Sequence, residues 1–186
     1  MFSKGQEEAP FQLLVAVILM TFVIIIGLRA MDEAQKNRCF NETEKAMNDF
    51  KLALEKTATY KQPSNVIFNP PSCSKDEKFI IKKIDEPRIC SSACLNSSTA
   101  CIILRYSTTE IANVPDKCLN VSYSTQFRTV NDTTGSNTEQ CISLEDKGYR
   151  GTDIESGDGL EKGSYQFLYA SSPSISYPVV CTYIRE

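Results

Sequence analysis

Histidine is absent from this sequence of 186 residues. Its absence excludes Ser–His and Cys–His catalytic pairs, imidazole metal ligands and the usual side-chain switch near neutral pH. The sequence also lacks a glycine-rich phosphate loop, a nucleophile elbow and a zinc-binding helix motif. We therefore predict no catalytic, cofactor-binding or metal-binding residue, and we do not expect an enzyme.

The sequence also lacks a concentration of basic residues. Its formal net charge is −3, from 20 basic and 23 acidic residues spread along the chain. Proteins that bind nucleic acid present a basic surface that neutralises phosphates. A nucleic-acid partner is therefore not expected.

Charge is missing altogether from residues 9–28, APFQLLVAVILMTFVIIIGL. A helix of this length spans about 30 Å, which matches the hydrocarbon core of a bilayer. We interpret the segment as a transmembrane helix that follows a cytoplasmic leader, residues 1–8. The alternatives are a signal peptide cleaved after the span and a buried helix of a soluble domain, although few domains of this size bury so long an apolar run.

Proline and glycine are absent between Arg29 and Thr57, so no residue there predicts the end of the helix. If the helix is continuous from Ala9 to Thr57, it is about 70 Å long. Apolar residues recur at helical spacing, with charged residues on the other faces. The sequence predicts an amphipathic stem over residues 29–60, which packs on the following domain through Phe40, Ala46, Met47, Phe50, Ala53 and Leu54.

All eight cysteines follow the apolar segment: Cys39, Cys73, Cys90, Cys94, Cys101, Cys118, Cys141 and Cys181. An even number on one side of a membrane span is typical of disulfides in an oxidising compartment, and it leaves 105 possible connectivities. Cys39 lies where the stem meets the domain and is placed to clip it there. A zinc site at Cys90, Cys94 and Cys101 is the alternative, but these residues lack paired C-x-x-C spacing.

Two further patterns bear on the side of the membrane where the domain lies. Four glycosylation sequons begin at Asn41, Asn96, Asn120 and Asn131, and such sites are modified on translocated chains. The basic residues after the span, Arg29, Lys36 and Arg38, outnumber Lys4 before it and favour the opposite orientation. We give the cysteines more weight, because long domains translocate largely regardless of flanking charge.

The remainder of the chain, residues 61–186, is predicted to form one β-rich domain. Lys61–Ser74 contains three prolines and is interpreted as a linker. Runs rich in Ile, Val, Tyr and Phe then predict an antiparallel sheet with strands at Lys78–Ile84, Ala100–Tyr106, Lys117–Tyr123, Gln140–Leu144, Ser164–Ala170 and Tyr177–Ile184. Alternation around Asn120 places its side chain on the solvent face, where a glycan can be carried.

One loop offers a possible cation site. Asp153, Glu155, Asp158 and Glu161 lie in and beside a turn that contains Gly157 and Gly159. Oxygen-rich loops can bind calcium, but the spacing is not that of an EF-hand, because its sixth position is an aspartate rather than glycine. A solvated acidic turn is the favoured interpretation.

The N-terminus carries a family resemblance. Lys4-Gly5-Gln6, followed by an acidic pair and the apolar helix, resembles the class III signal of archaeal type IV pilin-like proteins. The resemblance implies that a membrane peptidase cuts between Gly5 and Gln6 on the cytoplasmic side. Members of that family usually carry an acidic residue five places into the mature chain, where this sequence has Pro10. The alternative is an ordinary signal anchor.

Together these features predict an α+β protein, in which a long N-terminal membrane-spanning helix packs on an antiparallel, disulfide-rich β domain, as in pilins. By the resemblance, it is a structural subunit of an extracellular filament whose partners are the membrane and other copies of itself. The alternative is a non-polymerising accessory subunit of a membrane complex, or a surface binding module. Either role places the protein in the cell membrane with an exported C-terminal domain, or in an extracellular filament.

Overall fold

The computed structural model describes residues 8–94, 99–109, 114–129, 141–170 and 177–185, with the side chains of residues 8–10 excepted. The chain divides into two compact units, Met1–Cys39 and Phe40–Glu186. The α+β class is confirmed. The elements in chain order are α1 (Glu8–Tyr60), β1 (Ser64–Phe68), β2 (Lys78–Ile84), α2 (Pro87–Cys94), β3 (Cys101–Ser107), β4 (Lys117–Leu119), β5 (Gln126–Arg128), a 3-10 helix (Glu145–Lys147), β6 (Arg150–Gly151), β7 (Gly163–Ala170) and β8 (Val179–Arg185).

Helix α1 is continuous through the predicted transmembrane and stem segments. It ends at Tyr60, where Lys61 adopts a left-handed φ of 57° and donates its N–H to the carbonyl of Thr57 at 3.1 Å. This is the single-bond left-handed cap that terminates many helices, and Pro63 prevents a further turn. The chain then reverses directly into β1.

Strand β1 corrects the prediction of a linker over Lys61–Ser74, because residues 64–68 pair with β7 along their whole length. Pairing with a distant strand supplies the hydrogen bonds, so the flanking prolines limit the strand without preventing it. The predicted strand at Gln140–Leu144 is also wrong. Residues 141–144 are irregular and lead into the 3-10 helix, while residue 140 lies outside the described residues.

The strands form two sheets. The larger sheet has the order β1-β7-β8-β5, with β6 also pairing to β8, and the smaller has the order β2-β3-β4. All pairs are antiparallel except β5 with β8, which corrects the prediction of a purely antiparallel sheet. Strand β4 ends at Leu119 rather than at Tyr123. Helix α2 was not predicted; it begins at Pro87, a residue suited to the first helical position.

The core lies between the last turns of α1 and both sheets. The predicted stripe is confirmed, since Met47, Phe50 and Leu54 are fully buried. They pack with residues of the strands and with one loop residue: Phe68, Phe79, Ile81, Ile102, Leu104, Leu119, Phe127, Ile154, Tyr165, Phe167, Val180 and Ile184. At about 1.5–3 kcal/mol for each large buried side chain, this cluster is the main source of stability.

Candidate functional site in the exposed apolar helix

The first part of α1 presents apolar side chains on every face. Fourteen large apolar residues between Phe11 and Leu28 are 38–69% exposed. No residue in the most hydrophobic 18-residue window of this helix is buried by the rest of the described chain, and the mean hydropathy of that window is 2.8. Among the described residues, α1 is the one helix that is long and apolar enough to cross a membrane.

Exposure of this kind is unfavourable in water. Each large apolar side chain that leaves water gains about 1.5–3 kcal/mol, and monomeric soluble proteins rarely expose a contiguous patch of more than a few hundred Å². Lipid tails or other apolar helices are the environments that satisfy such a surface. The segment is therefore the candidate functional site of this chain.

One hydroxyl within the segment is internally satisfied. The Thr21 hydroxyl donates to the carbonyl of Val17 at 2.7 Å, one helical turn earlier. Such a bond removes the cost of placing an unpaired hydroxyl in hydrocarbon. Thr21 is thus compatible with a lipid environment or with a packed bundle of helices.

Beyond Cys39, α1 belongs to the second unit and the side chains on one of its faces become buried. Thr43 is fully buried, and its hydroxyl lies 3.2 Å from the sulfur of Cys73. Four residues later Met47 enters the core. The same helix therefore has an apolar segment exposed on all faces and a stem with one buried face, as the residue pattern predicts.

All eight cysteines are oxidised, which excludes the alternative of a zinc site at Cys90, Cys94 and Cys101 in this state. Cys90 bonds to Cys101 and Cys94 to Cys118, so two bridges fasten α2 across β3 and β4. Cys141 bonds to Cys181 and ties the chain before the 3-10 helix to β8. Cys39 and Cys73 are disulfide-bonded as well.

The candidate modification sites are only partly described. Asn41 on α1 and Asn120 after β4 are both exposed, which leaves these amides accessible. Asn96 and Asn131 lie outside the described residues, as do Gly5 and Gln6 at the predicted cleavage site. Glycosylation and processing remain predictions.

The acidic loop has a structural role. Glu155 pairs with Lys83 on β2 at 2.9 Å, and Glu161 pairs with Arg150. The side chain of Asp153 accepts the backbone N–H of Glu155 at 2.9 Å. No group of three or more candidate metal ligands occurs among the described residues. Two of the four carboxylates are already neutralised by cations of the protein.

The same loop closes the outer edge of the smaller sheet. The N–H of Leu160 donates to the carbonyl of Phe79 on β2 at 2.7 Å, and Ile154 anchors the loop in the core. Gly159 has a φ of 96°, and a Cβ there would lie 3.3 Å from the Phe79 carbonyl oxygen. Glycine is needed at this position because both the backbone conformation and the close approach disfavour a side chain.

Glu77 organises the loop before β2, a role that the sequence analysis missed. Its carboxylate accepts the N–H of disulfide-bonded Cys73 at 3.0 Å and the hydroxyl of Tyr106 at 3.1 Å. The amine of Lys162 lies 3.7 Å from its other oxygen. No local pattern identifies this cluster, because Tyr106 and Lys162 are distant in sequence and are brought together by the sheets.

Two buried tyrosines, Tyr165 on β7 and Tyr183 on β8, have perturbed phenol groups. The Tyr183 hydroxyl donates to the carbonyl of Ile142 at 2.7 Å, and burial raises the pKa of Tyr183 to about 12. The Tyr165 hydroxyl donates to the carbonyl of Glu161 at 2.9 Å, and burial raises the pKa of Tyr165 well above its usual range. Both phenols therefore remain neutral over the physiological range of pH.

Comparison with known proteins finds no matching family, no matching curated protein and no matching solved structure.

Proposed function

We propose that this chain is a single-pass membrane protein with an exported, disulfide-bonded domain, and that it is a structural subunit of a pilin-like filament. The observation that carries the proposal is the change of burial along α1. The large side chains between Phe11 and Leu28 are exposed, whereas Met47, Phe50 and Leu54 are buried in the chain's own domain. The first segment thus needs an external apolar partner and the second does not.

The oxidised cysteines support export of the domain. Disulfides persist in extracellular and other oxidising compartments and are rare in the cytosol. One transmembrane helix then suffices to hold the domain at the outer surface. The exposed amides of Asn41 and Asn120 are compatible with glycans on that side.

The leader supports the filament. Cleavage between Gly5 and Gln6, which the resemblance implies, leaves the apolar helix at the mature N-terminus. In a filament such helices leave the bilayer and bury their side chains against one another, so that the same surface serves both environments. The Thr21 hydroxyl is hydrogen-bonded within its own helix, so this residue is compatible with the bilayer and with the filament.

Three measurements test the proposal in sequence. Protease treatment of intact cells should degrade the domain, and a domain protected until the membrane is broken would refute export. Mass spectrometry of the purified protein should show a chain that starts at Gln6, because the pilin-type peptidase removes the leader. Electron microscopy of detergent-free material should show filaments with these helices at their centre.

The second candidate is a non-polymerising accessory subunit of a membrane complex. It is favoured by Pro10, which occupies the position where the pilin-like family carries an acidic residue that pairs with a neighbouring terminal amine. A chain that starts at Met1 and copurifies in constant ratio with a different membrane subunit, without filaments, would establish this candidate in place of the filament.

A further inference from the structure

Among the residues that the structure describes, no strand pairs with the outer edge of β1, which we call the open edge of the larger sheet. Strand β1 is the terminal strand of the order β1-β7-β8-β5, and among the described residues it pairs with β7 alone. Its sequence, SNVIF, contains no charged residue. Natural proteins usually protect such an edge with charged side chains, bulges or a covering loop, because its free N–H and C=O groups can pair with another strand. By contrast, the outer edge of β2 is covered through Leu160.

A groove with a mixed polar and apolar lining runs beside this edge. The groove is lined by residues of α1, among them Leu52 and Lys56, and by residues of the segment that contains β1, among them Asn65 and Ile67. Leu52 is 61% exposed and Ile67 is 77% exposed. Contact with lipid accounts for the exposed apolar side chains in the first part of α1. Leu52 and Ile67 belong to the folded second unit, so lipid does not account for their exposure.

Two charges mark the ends of the groove. Asp49 and Lys56 lie two helical turns apart on the same face of α1, and both line the groove. No ion pair joins either residue to another described residue. Neighbouring charges of the stem are paired, Lys51 with Glu55 at 3.7 Å and Glu44 with Lys117.

The direction of β1 relative to α1 is given by their contacts. The Ser64 hydroxyl donates to the carbonyl of Ala53 at 2.6 Å, and the rings of Phe68 and Phe50 lie 5.2 Å apart. Strand β1 therefore runs opposite to α1. Lys56 is beside the start of the strand, and Asp49 is beside its end.

We propose that the open edge of β1 binds a second copy of this chain, with the two β1 strands antiparallel about a twofold axis near Val66. Antiparallel pairing places Ser64 of each copy opposite Phe68 of the other. The Lys56 end of each groove then faces the Asp49 end of the other, so two complementary charge pairs form. The surface is self-complementary, as a twofold interface requires. Leu52 and Ile67 of both copies become covered in the same step.

The pairing itself goes beyond the proposed function, whereas the question of which copies it joins rests on the membrane or filament role proposed above. The twofold axis reverses the direction of residues 40–60 in the second copy, whereas the stems within one filament or one membrane all run the same way. The contact therefore joins copies that belong to separate assemblies and approach from opposite sides.

The first test uses the full chain in detergent, where the direction of approach is not constrained. A photo-crosslinking p-benzoylphenylalanine replaces Ile67, and the control carries it in place of Ile142, which is 61% exposed on another part of the domain. Illumination should join two copies through position 67 and not through position 142. Equal yields at both positions, or no joined copies at position 67, would overturn the proposal.

The second test uses the charges, in chains that also carry the crosslinker at position 67. Asp49→Lys alone or Lys56→Asp alone creates two like-charge pairs, so the yield of joined copies should fall about fivefold in each pure sample. An equal mixture of the two variants restores opposite charges in the mixed pairs, so the yield should recover to at least about half of the wild-type value. Both residues are exposed, so unchanged circular dichroism is expected of each variant. No recovery in the mixture refutes the twofold arrangement. If illumination of membranes that contain the position-67 crosslinker instead joins the chain to a different protein, the open edge of β1 binds that protein and not a second copy.

Discussion

The ring of Phe50 on α1 meets the ring of Phe68 on β1 edge-on, with centroids 5.2 Å apart and planes at 64°. Phe50 also contacts the rings of Tyr165 and Phe167 on β7, at 5.1 and 5.3 Å. Edge-to-face aromatic pairs add about 0.5–1.5 kcal/mol to the energy of burial. This one side chain therefore couples the stem to two strands of the larger sheet.

Substitution of Phe50 by Ala should lower the free energy of unfolding by about 3–5 kcal/mol, because a cavity replaces a fully buried ring. Leu52→Ala, two residues later and 61% exposed, is the matched control and should change it by less than about 0.5 kcal/mol. Denaturant unfolding of the dilute full chain in detergent measures both, followed by circular dichroism because the chain has no tryptophan. Equal losses for the two variants would contradict the packing described.

Gly159→Ala should destabilise the domain by about 1–2 kcal/mol, because alanine is strained at a φ of 96° and its Cβ would press on the Phe79 carbonyl. Gly157→Ala is the control within the same loop, since a Cβ there meets nothing within 4 Å. The midpoint of thermal unfolding should fall only for the first variant. A fall of equal size for Gly157→Ala would show that the packing of the acidic loop on β2 does not depend on the backbone geometry of Gly159.

The denatured, unreduced chain should expose no reactive thiol, and reduction should expose eight. Replacing Cys141 and Cys181 together by serine should cost about 2–5 kcal/mol, because their bridge closes a 40-residue separation in the unfolded chain. Thiol labelling with mass spectrometry tests the first expectation, and denaturant unfolding tests the second. Two or more labelled thiols before reduction would show that the bridges are incomplete.

Val17→Asp should impair membrane insertion or the assembly of the helices, since an unpaired carboxylate within the apolar segment is costly. Val17 is 54% exposed, so a folding defect of the domain is not expected. Ile142→Asp, at a side chain 61% exposed, is the control and should remain in the membrane fraction. Extraction of membranes at alkaline pH separates the two outcomes. Unchanged membrane insertion together with unchanged assembly of the Val17 variant would contradict the burial of this side chain in lipid or in a helix bundle.

Stability should also decline between about pH 10 and pH 12. Burial raises the pKa of Tyr183 from 10.0 to about 12, so in this interval the unfolded chain loses a proton that the folded chain retains. The free energy of unfolding therefore falls as pH rises. Tyr183→Phe should flatten this decline, at a cost of about 1 kcal/mol at neutral pH for the lost hydrogen bond to Ile142. If the free energy of unfolding of the variant falls with pH as steeply as that of the wild type, the decline is due to other groups, of which Tyr165 is the first candidate.

The sequence by itself determined the elements whose pattern is long and local. The apolar run and the stripe of the stem predict a helix from Ala9 to Thr57, and α1 runs from Glu8 to Tyr60. Strand β2 matches its predicted bounds, and β3, β7 and β8 begin within two residues of theirs. Helical periodicity and runs of β-branched residues encode these elements directly, because the pattern reflects which face is buried. The same apolar run also identified the candidate site.

The tertiary structure decided what depends on residues far apart. Strand β1 lies between two prolines and exists because β7 supplies its hydrogen bonds, and β5 and β6 are two or three residues long and depend on β8. Cysteine spacing alone leaves every connectivity open, whereas α2 lying across β3 and β4 selects Cys90–Cys101 and Cys94–Cys118. The groove of Asp49, Leu52 and Lys56 arises only when the chain turns back at Lys61 and lays β1 beside the helix. Local composition cannot encode these features, because the energy that fixes them comes from contacts between distant segments.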